Sequence, residues 1–62
     1  MTPIQIRQLA TWHENHGAEA LEMAKLFHEG PVRDGQHEVA SRHIVWADEL
    51  RELAADVAEE KP

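Results

Sequence analysis

Cysteine is missing from this chain, and its absence excludes disulfides and thiolate metal sites. No apolar stretch approaches the ~20 residues of a membrane-spanning helix. A basic start followed by an apolar run, the mark of a secretory leader, is also lacking, so the expectation is a cytoplasmic protein, intact from Met1, without membrane contact. Positive charge is scarce. Six Lys and Arg stand against twelve Asp and Glu, a net charge of −6. The basic residues Arg7, Lys25, Arg33, Arg42, Arg51 and Lys61 are scattered, whereas phosphate backbones are read by clustered positive charge; nucleic-acid binding is disfavoured. No Gly-rich phosphate loop, nucleophile elbow or paired-acid pocket is present. Ser41 and His43 are two residues apart, which on a helix points them in different directions. The chain is expected to be neither an enzyme nor the holder of a cofactor.

What is present is helical rhythm. Ile6, Leu9, His13, His16, Ala20, Met23 and Phe27 recur at steps of three and four, as do Val39, His43, Trp46, Leu50, Leu53 and Val57. That period places each set along one side of an α-helix. Thr2, Pro3 and Gln5 read as an N-cap, a first helical residue and the third-position partner of a capping box. The first helix is expected over about 3–29, ended by Gly30-Pro31, and a loop over 30–34. A second helix, capped by Asp34, is expected over about 35–60. Asn15-His16-Gly17 offers an alternative break, which would give three short helices. Because the rhythm keeps its phase through Gly17, and one mid-helix glycine costs only ~1 kcal/mol, the continuous helix is the preferred reading.

The fold class is therefore all-α: a single domain over 1–62 forming a two-helix antiparallel hairpin, joined by a loop of the length that connects neighbours. Pairing about the loop centre sets His16 opposite the Trp46–Leu50 turn and Phe27 near Val39. The expected seam, within the hairpin or between two copies, comprises Ile6, Leu9, Trp12, His16, Met23, Phe27, Val39, His43, Trp46, Leu50, Leu53 and Val57. Ala40, Ala47 and Ala54 recur every seven residues and invite a close helical neighbour. The halves also echo each other at an offset of thirty, with His13 matching His43 and Glu19 and Glu22 matching Glu49 and Glu52. A two-helix layer has no third layer to cover its broad sides. Chains below about 70–80 residues generally need a staple or a partner. A homodimeric four-helix bundle answers both requirements.

Three groups of residues are candidates for function. His13, His16 and His43 lie on the two apolar stripes and are weak candidates for a metal. The Glu-x-x-His marker of bundle metal sites is absent, so no metal is assigned, and semi-polar packing is the plainer role. Buried neutral imidazoles would lose stability on acidification. Asp48, Glu49, Glu52 and Asp56, with Ile44 and Val45, form an acidic, partly apolar strip suited to a protein partner with a basic surface. Trp12 and Trp46 serve either the core or a partner anchor.

In length, acidity and hairpin plan the chain resembles Rop, a plasmid protein whose two-helix monomers dimerise into a four-helix bundle and bind paired RNA loops, with a local echo at Ala47-Asp48-Glu49-Leu50. The likeness is architectural. It implies an RNA-binding dimeric regulator as one alternative, for which Gln5, Arg7, Gln8 and Lys25 would supply the contact face. A His/carboxylate metal-binding bundle is the other. The reading preferred from the residues is a small acidic interaction module acting as adaptor, regulator or inhibitor, a class common among accessory genes of phages and mobile elements.

Overall fold

The protein is described by a computed structural model over residues 1–59. Two helices, α1 (Pro3–Ala24) and α2 (Pro31–Glu59), pack against each other as an all-α hairpin. No strand occurs among the described residues. The start of α1 follows the capping-box logic. Thr2 Oγ1 accepts from the Gln5 backbone N–H at 3.1 Å, and Gln5 Oε1 accepts from the Thr2 N–H at 2.9 Å. α1 then runs without interruption through Gly17.

Both inner boundaries differ from expectation. α1 ends at Ala24, about five residues early, and α2 begins at Pro31, about four residues early. Gly30-Pro31 is the start signal of α2 rather than the stop signal of α1. Proline lacks an N–H and has a φ suited to the first helical turn, while the Gly30 carbonyl accepts the Asp34 N–H at 3.0 Å. The reversal must then be complete before residue 31. It is made by a tight turn in which the Lys25, Leu26 and Phe27 N–H groups bond the Glu22, Met23 and Ala24 carbonyls, and by Gly30 at φ 152°. Asp34 is consequently inside the first turn of α2 and not its cap, where its carboxylate still favours the positive end of the helix dipole.

The earlier turn slides the register. His13 meets His43, and Gly17 lies against Ala40 and Ile44; the expected pairing of His16 with Trp46–Leu50 is displaced by more than a turn. The seam is also rotated. Ile6, Ala10, Gly17, Ala20 and Ala24 are the buried residues of α1, and Ala40, Ala47 and Ala54 those of α2. His13, His43, Leu50 and Val57 fill the intervening positions half-buried. The steps of three and four are retained, but the helix-to-helix contact lies about one residue off the apolar stripe read from the sequence. The alanine row of α2 faces a matching row at Ala10, Gly17 and Ala24, and small side chains let helix axes approach toward the low end of the usual 8–10 Å.

Leu9, Trp12, Met23, Phe27, Val39, Trp46 and Leu53, expected in the seam, are left 36–50% exposed. Among the described residues no large side chain is fully buried. The molecule measures 53 × 13 × 12 Å, with a radius of gyration of 14.6 Å, against about 11 Å for a compact chain of this length. Its accessible surface is 4714 Å², where a compact monomer of 7.1 kDa would expose about 4,100 Å².

Candidate functional site

Because the alanine seam takes up one edge of each helix, the large apolar residues are left on one broad side of the pair. On α1 this side carries Leu9, Trp12, His16 and Met23; on α2 it carries Val39, Trp46 and Leu53. His13, His43 and Leu50 lie along the line where the helices meet. A groove open to solvent and lined by Leu9, His13, Trp46, Glu49, Leu50 and Leu53 crosses that line. Two further grooves lie along α1, one lined by Met1, Gln5, Gln8, Leu9 and Trp12, the other by Ala18, Glu19, Glu22, Met23 and Leu26.

The centre of this side is an aromatic cluster. Trp12 stacks at a tilt on His16, with ring centroids 3.9 Å apart, and meets His13 edge-on at 4.9 Å. Trp46 meets His13 at 5.4 Å and His43 at 5.3 Å, both edge-on. Such geometry suits rings whose faces are negative and edges positive. Between the tryptophans, Nδ1 of His13 and Nδ1 of His43 are 2.8 Å apart. One ring must donate its Nδ1–H to the bare Nδ1 of the other, so at least one of the two is neutral. Partial burial, then the neighbouring His43 and His16 rings, hold the His13 pKa below its ordinary value. His16 Nδ1 lies 3.6 Å from the Glu19 carboxylate. Among the described residues no set of three His, Asp or Glu side chains converges on a metal position.

Ion pairs lie on the exposed faces. Arg51 reaches across from α2 to Glu14 at 2.8 Å. Lys25 bonds Glu22 at 2.9 Å at the end of α1, and Arg42 bonds Glu38 at 2.7 Å within α2. Three of the five Lys and Arg among the described residues are thus matched to a carboxylate, which leaves little concentrated positive potential for a phosphate backbone. The acidic strip divides. Val45, Asp48, Glu52 and Asp56 line the back of α2, away from α1. Ile44 turns toward Gly17, and Glu49 belongs to the groove beside His13 and Trp46. Among the described residues no helix is long and apolar enough to cross a membrane.

The small-residue row of α1 was missed in reading the sequence, although Ala10, Gly17 and Ala24 repeat at the same seven-residue interval as Ala40, Ala47 and Ala54. Set against protein families, curated proteins and solved structures, the chain finds no match in any of the three.

Proposed function

We propose that this protein is a non-enzymatic interaction module that pairs with a second copy of itself through the Trp12–Trp46 side, giving a four-helix bundle whose acidic α2 backs face outward. The observation that carries this reading is that the broad apolar side remains open once the hairpin has formed. That side is two helix diameters wide, ~20 Å, and ~33 Å long over the span of α1 at 1.5 Å per residue, about 650 Å² in projection. A standard interface removes about 800 Å² from each partner, so one copy has about the area that a stable dimer needs. The side has imidazoles, indoles and aliphatic groups at its centre, with Glu49 beside the central groove and Glu19 and Glu22 beside the groove along α1, while Asp48, Glu52 and Asp56 lie on the back of α2, away from this contact. In that assembly Val45, Asp48, Glu52 and Asp56 stay in solvent, available to a protein partner with a basic surface.

The mass in solution tests the reading. Sedimentation equilibrium should give twice 7.1 kDa, and the melting temperature should rise with protein concentration, as mass action requires of a coupled dimer. A single copy that stays cooperatively folded at high dilution would remove the proposal.

A further inference from the structure

We propose that the His13–His43 hydrogen bond makes the paired state proton-sensitive: when both rings are protonated the bond breaks and the second copy is released. The inference rests on self-association through the Trp12–Trp46 side and assigns that contact its regulation. Nδ1 of His13 stands 2.8 Å from Nδ1 of His43, so in the neutral pair one ring donates and the other accepts. A first added proton goes to the free Nε2 of the donating ring. The bond survives it as a charge-assisted N–H···N contact. A second proton has only the accepting Nδ1 to occupy, and two N–H groups then face each other. The pair tolerates one added proton in place and takes two only by separating.

The pair also stands at the middle of the proposed contact. Ten residues of α1 precede His13 and eleven follow it, and Trp12 and Trp46 pack edge-on against the two imidazoles. Homodimers are most often two-fold symmetric, so that one patch meets its own copy. An axis through the centre of this side brings each imidazole pair against that of the other copy. The groups facing His13 are His16 on α1 and His43 and Glu49 on α2, with the same groups of the second copy by symmetry. His16 is provided for, because its ring stacks on Trp12 at 3.9 Å and lies 3.6 Å from Glu19. Glu49 lines the groove with His13 and offsets one imidazolium. The second stays unmatched, twice over in the dimer, in a contact that excludes water. The depressed pKa of His13, caused by partial burial and then by His43 and His16, has the same direction within one chain. Overall charge has the opposite sign. Protonating the five histidines takes the net charge from −6 to −1, which by itself would ease the approach of two copies.

Sedimentation equilibrium of the whole chain at about pH 7.5 and about pH 5, on either side of the unperturbed histidine value of about 6.5, reads the dimer dissociation constant. It should rise at least about tenfold at the lower pH, since each proton that association excludes changes the constant by up to about tenfold per pH unit. In His43→Gln the rise should largely disappear, whereas His28→Gln/His37→Gln, at two exposed positions, should keep it. If His43→Gln loses its helices, the parent decides alone. In isotope-labelled protein the scalar coupling between the His13 and His43 Nδ1 atoms, carried by the hydrogen bond, should be present in the dimer and vanish in step with the mass. A chain of 7.1 kDa at the higher pH overturns the dimer reading and this inference together. Four other results overturn this inference alone: a dimer equally strong or stronger at the lower pH, a helical His43→Gln variant with the parent's rise, a His28→Gln/His37→Gln variant without it, or a coupling and a mass that change at different pH values.

Discussion

Gly17 lies so close to α2 that a Cβ placed on it would be 3.2 Å from the Ala40 carbonyl oxygen. The same atom would stand 3.3 Å from Ile44 Cγ1 and 3.4 Å from His43 Cβ. The glycine is thus the price of close approach, a mid-helix residue that weakens α1 by ~1 kcal/mol relative to alanine while admitting a backbone that cannot retreat. Gly17→Ala sets that gain in helix propensity against a contact tight by a few tenths of an ångström, and its stability should lie within ~1 kcal/mol of the parent. Gly17→Val adds methyl groups that have no space and should destabilise by about 1–3 kcal/mol. Urea midpoints at one fixed protein concentration measure both. A Gly17→Val variant as stable as the parent would mean that the helices are not so close.

Ala47 gives the complementary test from the other helix. It is 1% exposed at the middle of the α2 row, so Ala47→Leu must push α1 away and should cost about 1–3 kcal/mol. Ala55→Leu, at an exposed position of the same helix, should change stability by no more than about 0.5 kcal/mol. If the two substitutions had equal effects on the thermal midpoint, the alanine row would not be the contact surface.

At the N-terminus of α1, removing the Thr2 hydroxyl leaves the Gln5 N–H without its acceptor. Thr2→Ala should lower stability by about 1 kcal/mol, and Thr2→Ser should retain most of it. Amide exchange at Ile4–Ile6 should accelerate in the alanine variant more than exchange near Ala20, since the first turn alone depends on the cap.

These tests separate what the sequence makes legible from what it hides. The class, two helices in a hairpin, follows from the three-four rhythm, and the cap at Thr2 follows from Thr-x-x-Gln. The phase of the seam does not follow from hydrophobicity. The rule that large apolar residues mark the contact fails here because Ala10, Gly17, Ala24, Ala40, Ala47 and Ala54 are selected by distance rather than by greasiness. The boundary error has a related cause. Proline both ends and begins helices, and only the hydrogen bond from Asp34 to Gly30 reveals which role Pro31 plays. The meeting of His13 and His43 depends on that boundary, so the site was legible only as a set of residues, not as a pair.

Acidification should weaken the fold. His13 has a pKa depressed below its ordinary value, by partial burial first and then by His43 and His16. The groups facing it are His16 on its own helix and His43 and Glu49 on α2; of these, only Glu49 favours the charged ring. The unfolded chain therefore takes up a proton at this position before the folded chain does. Where the unfolded state binds more protons, stability rises with pH, so the contribution is complete above about pH 6.5, the unperturbed histidine value, and declines as pH falls through and below it. Thermal midpoints measured between neutral and mildly acid pH should decrease, and His13→Gln should flatten the slope. A midpoint that rises on acidification would show that the imidazoles are held in their charged form.

The broad apolar side should respond to charge in a way that the seam does not. Trp46 is 44% exposed in the single chain and Trp12 is 50% exposed, so a glutamate at either place forces no buried charge on an isolated hairpin. If the hairpin were complete alone, Trp46→Glu would act as a surface substitution, within about ±0.5 kcal/mol apart from the lost ring contacts. If a second copy covers that side, the carboxylate lands at the centre of an interface, where an unpaired charge costs several kcal/mol. The variant should then sediment as 7.1 kDa and lose cooperative unfolding at concentrations where the parent is dimeric. Asp48→Lys, on the back of α2, should leave the mass unchanged. The two substitutions together assign the self-contact to one side of the molecule: loss of the dimer with Trp46→Glu alone supports the Trp12–Trp46 side, whereas loss with Asp48→Lys alone would move the contact to the acidic back.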